Sequence, residues 1–305
     1  MIQVKFAMFS DLHYDVMPDG DRRINAFLNY VKNAKAEFII ELGDLCYPLN
    51  ENNHVLDKLR SSELPCYFTV GNHNTDSFTI EQVVKFLNLE KSYYSFIKGN
   101  IKFIVLDANF INEKNNSIPY HKRNYSKSNQ EYPYIPMEEI EWLKKELEDD
   151  HKYYIIILHQ SLSNDFRKRG ISNRKEIREI LEKRNLKGKK ILFCINGHDH
   201  GGGYKVINNI YYYTLNSMSY IWHGTKDVFS YSEEIHKQYP YLKDLILYEE
   251  ALHIIVNIDE HMNVSIDGVD GHYQKHSPSD IGLQNTWNGV SIEAKTPSVY
   301  IKMER

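Results

Sequence analysis

Seven short runs rich in β-branched and aromatic residues mark the first two thirds of the 305-residue chain, at 4–9, 38–42, 66–70, 101–106, 153–158, 191–194 and 210–215. They are apolar throughout rather than alternating, so they read as strands covered on both faces. Between them lie segments in which apolar residues return every three or four positions, clearest at 22–34, 137–148 and 174–183. The segment at 137–148 carries entry signals as well. Pro136 precedes it, and Glu138, Glu139 and Glu141 bring negative charge to its start, where the helix dipole favours it. Strands alternating with helices predict an α/β fold with stacked sheets or one wound sheet. After 215 the pattern loosens, and 252–258 with 264–269 predicts a hairpin that closes the domain. The chain reads as one domain over 1–305, with an insertion at about 109–136 and a C-terminal extension from about 216. No internal repeat is visible.

Chemistry-bearing side chains begin where these runs stop. The run 4–9 passes through Ser10 into Asp11, Leu12 and His13, and 38–42 passes into Gly43 and Asp44. The run 66–70 leads to Gly71, Asn72, His73 and Asn74; 153–158 leads to His159; and 191–196 leads to Gly197, His198, Asp199 and His200. Ligands of α/β sheets bind in the crevice beyond the carboxyl ends of the strands, so five strands deliver these groups to one edge. Carboxylate oxygen and neutral imidazole nitrogen together suit divalent transition metals. Glycines before Asp44, Asn72 and His198 permit sharp turns and close approach to a metal or phosphate. Singly, each piece is commonplace, and a lone histidine at a strand end is more often a hydrogen-bonded core residue. Their joint occurrence in this order carries the reading.

The series Asp11-x-His13, Gly43-Asp44, Gly71-Asn72-His73, His159 and Gly197-His198-x-His200 resembles the calcineurin-like metallophosphoesterases and spans residues 11–200 in that family's order. The resemblance implies an α/β fold of the four-layer αββα sandwich type, with a dinuclear metal site at the sheet edge. Its cofactors would be two divalent metal ions (Mn, Fe, Zn or similar), bridged by a carboxylate and a hydroxide. Residue by residue, the first metal would take Asp11, His13, Asp44 and His200, and the second Asp44, Asn72, His159 and His198, with Asp44 as the bridge. His73 would face the substrate as a proton donor or phosphate contact. The implied reaction is hydrolysis of a small-molecule phosphodiester or pyrophosphate by in-line attack of metal-bound hydroxide. Two cations clamp the phosphoryl oxygens and acidify the shared water, and a nearby histidine meets the leaving group's need for a proton. A phosphomonoesterase with the same dinuclear site is the alternative. A non-catalytic metal-binding scaffold is a different class, and degraded ligands would mark it; here every metal position carries a competent one.

One position departs from the family pattern. An acidic residue usually follows the motif histidine, and this chain has Asn74. Asparagine offers a hydrogen bond but no charge, so the expectation is that His73 lacks a carboxylate partner and is a weaker acid for it. Gly201, Gly202, Gly203 and Tyr204 are similar to a glycine-rich turn in the branch that cleaves ADP-ribose and CDP-alcohols, which brings a nucleotide diphosphate into the substrate range. Their plainer reading is a tight turn from loop back to strand.

Bulk properties narrow the partners. The net charge of -4 and the absence of a Lys/Arg stripe with interleaved aromatics argue against nucleic acid and anionic membrane, and leave a small-molecule phosphate ester. The apolar stretch within 1–10 is too short for a signal peptide, and no run approaches the ~18 apolar residues of a membrane span; a cytoplasmic location is the expectation. Cys46, Cys66 and Cys194 lack paired spacing and read as reduced thiols. The segment 109–136 has no apolar period and is longer than an ordinary connection, so it reads as a lid or a spacer. As a lid it would bring His121, Lys122, Arg123 and Tyr125 toward a phosphate. The stretch 274–296, with Trp287, reads as a wrap over the core, and 216–222 either lines the pocket or packs beside it. Asp15, Asp19, Asp107 and Asp199 lie near the motifs and read as supports for the ligands or for the fold.

Overall fold

The computed structural model describes residues 2–124, 130–149, 152–167, 169–188 and 190–303. Two six-stranded sheets form its centre. The first runs Val299–Ile301, Val264–Gly268, Ile254–Asp259, Ile2–Phe9, Ile39–Glu41 and Cys66–Phe68. Within it Ile2–Phe9 pairs in parallel with Ile39–Glu41 and antiparallel with Ile254–Asp259, so the chain beyond 216 supplies three strands of this sheet. The second runs Gly203–Ile207, Ile210–Thr214, Ile191–Asn196, Tyr153–Leu158, Ile101–Val105 and Tyr94–Lys98. Its four inner strands are parallel, with the antiparallel strands at either edge.

Successive side chains on a strand point to opposite faces, and here both faces are covered. Phe6, Met8 and Ile40 from the first sheet meet Phe103, Ile155, Phe193 and Ile195 from the second. Phe6 stacks on Phe38 with centroids 5.0 Å apart and meets Phe103 edge-on at 5.3 Å. The intervening residues face outward. Ala7, Phe9 and Ile39 pack under the helices Gly20–Ala34 and Asn53–Arg60 through Ile24, Phe27, Val31, Leu56 and Leu59. Ile104, Tyr154, Ile156 and Cys194 pack under Met137–Glu146 and Arg174–Leu186 through Ile140, Leu143, Ile177 and Leu181. The product is four layers, helix on sheet on sheet on helix. Burial on both faces is why the strand runs are apolar without alternation.

Among its described residues, the segment 109–136 is not an irregular loop. It folds into a three-stranded sheet of Asn116–Pro119, Phe110–Glu113 and Glu131–Tyr134, whose four-residue strands are too short and too polar to give a readable period. Further on, Thr286–Trp287 and Val290–Ser291 form a small ribbon, and Ile292, Ala294 and Trp287 pack against Ile221, Tyr248 and Leu252. No described helix is long and apolar enough to cross a membrane. The three cysteines are free.

Candidate active site

The carboxyl ends of Ile2–Phe9, Ile39–Glu41, Tyr153–Leu158 and Ile191–Asn196 open onto one edge of the two sheets, and the loops that follow are tied to one another. Asp11 N–H donates to Gly43 O at 3.0 Å and His13 N–H to Asp44 O at 2.9 Å, while Gly197 N–H donates to His159 O at 3.1 Å. Ser217 Oγ donates to Asp11 O at 2.8 Å and Ser219 Oγ to Leu12 O at 3.0 Å, so the 216–222 segment holds the first loop from behind. Packing is close enough to require glycine at several positions of these loops. A Cβ on Gly71 would lie 2.1 Å from Asp44 Oδ1, and one on Gly197 would lie 1.8 Å from Ser10 Oγ. Five residues of the motifs adopt left-handed backbone: Asp11 (φ 52°), His13 (50°), Asp44 (62°), His198 (66°) and His200 (48°). Each such conformation costs on the order of 1 kcal/mol outside glycine and persists only where the surroundings enforce it.

These turns aim two carboxylates and a ring of imidazoles at one point. Asp11 Oδ1 lies 3.4 Å from His200 Nε2, 3.6 Å from His13 Nε2 and 4.0 Å from His159 Nε2. Asp44 Oδ2 lies 3.0 Å from His159 Nε2 and 3.7 Å from His13 Nε2, and Asn72 Oδ1 lies 3.2 Å from His159 Nε2. The outer oxygens are satisfied: Asp11 Oδ2 accepts from His198 N–H at 2.9 Å and from Ser10 Oγ, and Asp44 Oδ1 accepts from His73 N–H at 2.8 Å. The inner oxygens, Asp11 Oδ1 and Asp44 Oδ2, are buried and accept no well-aligned hydrogen bond.

The imidazoles present lone pairs to the same point. His159 Nδ1–H donates to Leu42 O at 2.8 Å and His200 Nδ1–H to Tyr220 O at 2.9 Å, which turns Nε2 of each ring toward the carboxylates. His13 Nε2 and His200 Nε2 approach to 3.2 Å. Carboxylate oxygen, imidazole nitrogen and amide oxygen form a donor set that fits a divalent transition metal. Ligand atoms come within 4.8 Å of one another in two groups, Asp11 with His13 and His200, and Asp11 with Asp44 and His159. Asp11 is thus common to both, although the resemblance makes Asp44 the bridge. Both carboxylates face imidazoles of both groups. His198 stands beside His159 with ring centroids 5.1 Å apart.

The electrostatics favour cations. Burial opposes ionisation of Asp11, yet His200, His13 and His159 hold its carboxyl well below the usual range. Burial likewise opposes Asp44, and His159, His73 and His13 outweigh it. His159 is pushed up to about 10 against its burial, by Asp44 and then Asp11: the paired carboxylates draw positive charge onto whatever group stands there. Burial drives His13 down to about 4 and, together with Arg169 and His159, lowers His198, so both are disposed to be neutral ligands.

At His73 the structure corrects the sequence reading. Its ring does have a carboxylate partner, Asp76, whose Oδ2 lies 2.7 Å from His73 Nδ1. Asn74 faces away from the ring: its Oδ1 accepts from Gly71 N–H at 2.8 Å and Asp44 N–H at 3.2 Å, and its Nδ2 donates to Cys46 O at 2.9 Å. Burial disfavours the charged imidazole of His73, but Asp44 and Asp76 together raise its pKa. Asp76 was legible only as an Asp three residues after the histidine, a spacing that the short helical turn His73–Thr75 brings to the ring.

A cleft of about 240 Å3 opens beside these groups, lined by Asn72, His73, His198, His200, Arg169, Trp222 and Asn288 among others. Trp222 lies parallel to His73 with centroids 6.0 Å apart. Arg169 donates to His198 O at 3.1 Å, and its Nε lies 3.5 Å from Asp199. No sequence signal marked Arg169 or Asn288; the latter shows that the 274–296 wrap also reaches the cleft. Asp15 accepts from Tyr47 N–H and Asn52, Asp19 pairs with Arg22 and Arg23, and Asp107 accepts from Asn109. Gly203–Ile207 returns from the Gly201–Gly203 turn as a strand, as its plainer reading expects. Of the insertion's residues, Lys122 N–H donates to Thr75 O and Arg123 reaches Asp76, while Tyr125 lies outside the described residues.

The sequence model of the calcineurin-like phosphoesterases matches residues 4–202, which include every motif position. The chain therefore belongs to the calcineurin-like phosphoesterase family and is a hydrolase acting on phosphoric ester bonds. Among solved structures it is similar to a dimetal phosphatase from Danio rerio, with TM-score 0.62 and 14% identity over 91% of this chain and 100% of that one. It is also similar to GAP50, the anchor in the inner membrane complex of Plasmodium, with TM-score 0.55 and 15% identity over 100% of this chain and 90% of that one. No curated protein matches the chain.

Proposed function

We propose that the protein hydrolyses a small-molecule phosphodiester or pyrophosphate with two divalent cations, held by Asp11, His13, Asp44, Asn72, His159, His198 and His200. The observation that carries this reading is the pair of buried carboxylate oxygens, Asp11 Oδ1 and Asp44 Oδ2, that accept no well-aligned hydrogen bond and face imidazole nitrogens. Burying such oxygens without donors is costly, and bound cations remove the cost. When bound, the cations supply positive charge to the phosphoryl oxygens and lower the pKa of water for in-line attack. His73 stands at the cleft wall with Nδ1 committed to Asp76, which turns Nε2 to the leaving group for donation of a proton or hydrogen bond. Arg169 brings a guanidinium to the same cleft, where it suits a phosphate oxygen not engaged by metal. The modest cleft volume and the negative net charge support a small ester over a polymer.

The test is hydrolysis of bis-p-nitrophenyl phosphate and p-nitrophenyl phosphate with manganese, extended to nucleotide diphosphate esters. A diester or diphosphate preference supports the reading. Turnover of the monoester alone would replace it with a phosphomonoesterase, and full activity in verified metal-free protein would end the two-metal assignment.

A further inference from the structure

Three donors converge on the Asp76 carboxylate, whose side chain is only 5% exposed. His73 Nδ1 lies 2.7 Å and Arg123 Nη2 3.1 Å from its Oδ2, and Tyr120 Oη donates to its Oδ1 at 2.8 Å. The last two belong to the 109–136 insertion. Tyr120 is buried and stacks on Tyr132 with centroids 4.6 Å apart, so the small sheet fixes the position of its hydroxyl. Lys122 N–H donates to Thr75 O at 3.1 Å and ties the backbones of the two segments together.

A histidine bonded only through one ring nitrogen to a mobile partner can turn about its χ2 axis, and small misplacements of a reacting group are expensive in rate. Here the partner itself is pinned from two further directions. Arg123 also balances the carboxylate's charge, which leaves Asp76 no reason to swing toward cations at Asp11 and Asp44. The arrangement thereby separates the two kinds of carboxylate near the site, one pair open to metal and one spent on a ring.

We propose that Asp76 is the positioning residue for His73 and that the insertion, through Tyr120 and Arg123, holds Asp76 in that role. The proposal rests on the reading that His73 faces the leaving group. It makes the insertion part of the catalytic apparatus.

The test compares esters with a good and a poor leaving group, p-nitrophenolate and an aliphatic alkoxide, at fixed pH with manganese. Asp76→Ala should lower kcat for the poor leaving group roughly 10²-fold, the scale of lost proton donation, with KM nearly unchanged and p-nitrophenyl turnover much less affected. Asp76→Asn, which keeps an acceptor, should recover part of the loss, and Tyr120→Phe and Arg123→Gln should show the same selective pattern in smaller measure. A second readout is independent of turnover: the downfield His73 Nδ1–H proton resonance, identified by its absence in His73→Gln, should persist in the native protein and vanish in Asp76→Ala. Should Asp76→Ala fail to fold, Asp76→Asn and Tyr120→Phe carry both readouts. Equal losses for both leaving groups, or an unchanged resonance, would overturn the proposal. A native protein that hydrolyses neither ester would instead overturn the reading of the site, and the resonance would still decide whether Asp76 holds the ring.

Discussion

The side-chain amide of Asn74 joins the loops that carry Asp44 and Asn72, accepting the backbone N–H of Asp44 at 3.2 Å and of Gly71 at 2.8 Å while donating to Cys46 O at 2.9 Å. Its place after the motif histidine is therefore used for scaffolding. Asn74→Asp would set a carboxylate oxygen against the Cys46 carbonyl and add a buried charge close to Asp44. We expect a loss of about 2–3 kcal/mol, read from the urea midpoint. The alkaline limb of the pH–rate profile for a poor leaving group should stay where it is, because the carboxylate on His73 is Asp76. A stable Asn74→Asp enzyme with a shifted limb would show that residue 74 reaches the ring after all.

Metal removal should act on stability as well as rate. Asp11 and Asp44 are buried side by side, and a ligand that binds only the folded state stabilises it by mass action. Chelation is expected to abolish hydrolysis and lower the melting temperature together, with manganese restoring both. By elemental analysis the native protein should carry two ions per chain; Asp11→Ala and Asp44→Ala should each hold fewer than Asn72→Ala, since each carboxylate faces more than one imidazole. An Asp44→Ala protein that keeps more metal and activity than Asn72→Ala would refute the central place given to this carboxylate.

A buried carboxyl beside Asp107 supplies a pH test. Glu139 is fully buried on the helix Met137–Glu146, where burial first and Asp107 second raise its pKa well above the usual range; its Oε1 accepts Asp107 N–H at 2.8 Å. The folded chain thus holds a proton that the unfolded chain releases at ordinary carboxylate pH. Stability from this group is complete below the unfolded pKa and declines as pH rises toward and through the folded one. Glu139→Gln keeps the acceptor and removes the titration, so its unfolding free energy should fall less steeply between pH 5 and 8 than that of the native protein. Parallel curves in urea titrations across that range would count against a retained proton.

How far the sequence could be read depends on how residues are buried. Each of the seven apolar runs lies in a strand of the two sheets, because strands covered on both faces leave an unbroken apolar signature. The strand Tyr94–Lys98 went unread since it lies at a sheet edge and keeps Ser95 and Lys98 among its residues. The insertion's strands failed for the same reason. The motif residues were legible because Asp11, His13, Asp44 and the rest follow strand ends in a fixed order. Asp76, Arg169 and Asn288 were not, since each reaches His73 or the cleft from a turn or loop with no periodic signal.

A buried arginine links the helical layer to the site. Arg23 is fully buried on Gly20–Ala34; its Nε donates to Asp19 at 2.9 Å, and its guanidinium also donates to Met218 O at 3.2 Å and Tyr248 O at 2.6 Å. Met218 lies between Ser217 and Ser219, which hold the Asp11 loop. Arg23→Met leaves these carbonyls and Asp19 without their donors and should cost about 3–5 kcal/mol. We also expect weaker manganese binding in the folded variant, measured by calorimetry below its melting temperature. Undiminished affinity would mean that the Asp11 loop does not depend on this brace.

Five motif residues in left-handed backbone have a consequence for how this protein can change over time. Selection for folding alone would favour glycine or asparagine at positions 11, 13, 44, 198 and 200, where those residues relieve the conformation. Aspartate and histidine stand there instead, as the ligation proposed above would require. A descendant freed from catalysis should drift at these sites first, relieved of the backbone cost but without the stability that bound metal lends. Relief of the backbone and loss of metal thus pull stability in opposite directions at the same five positions.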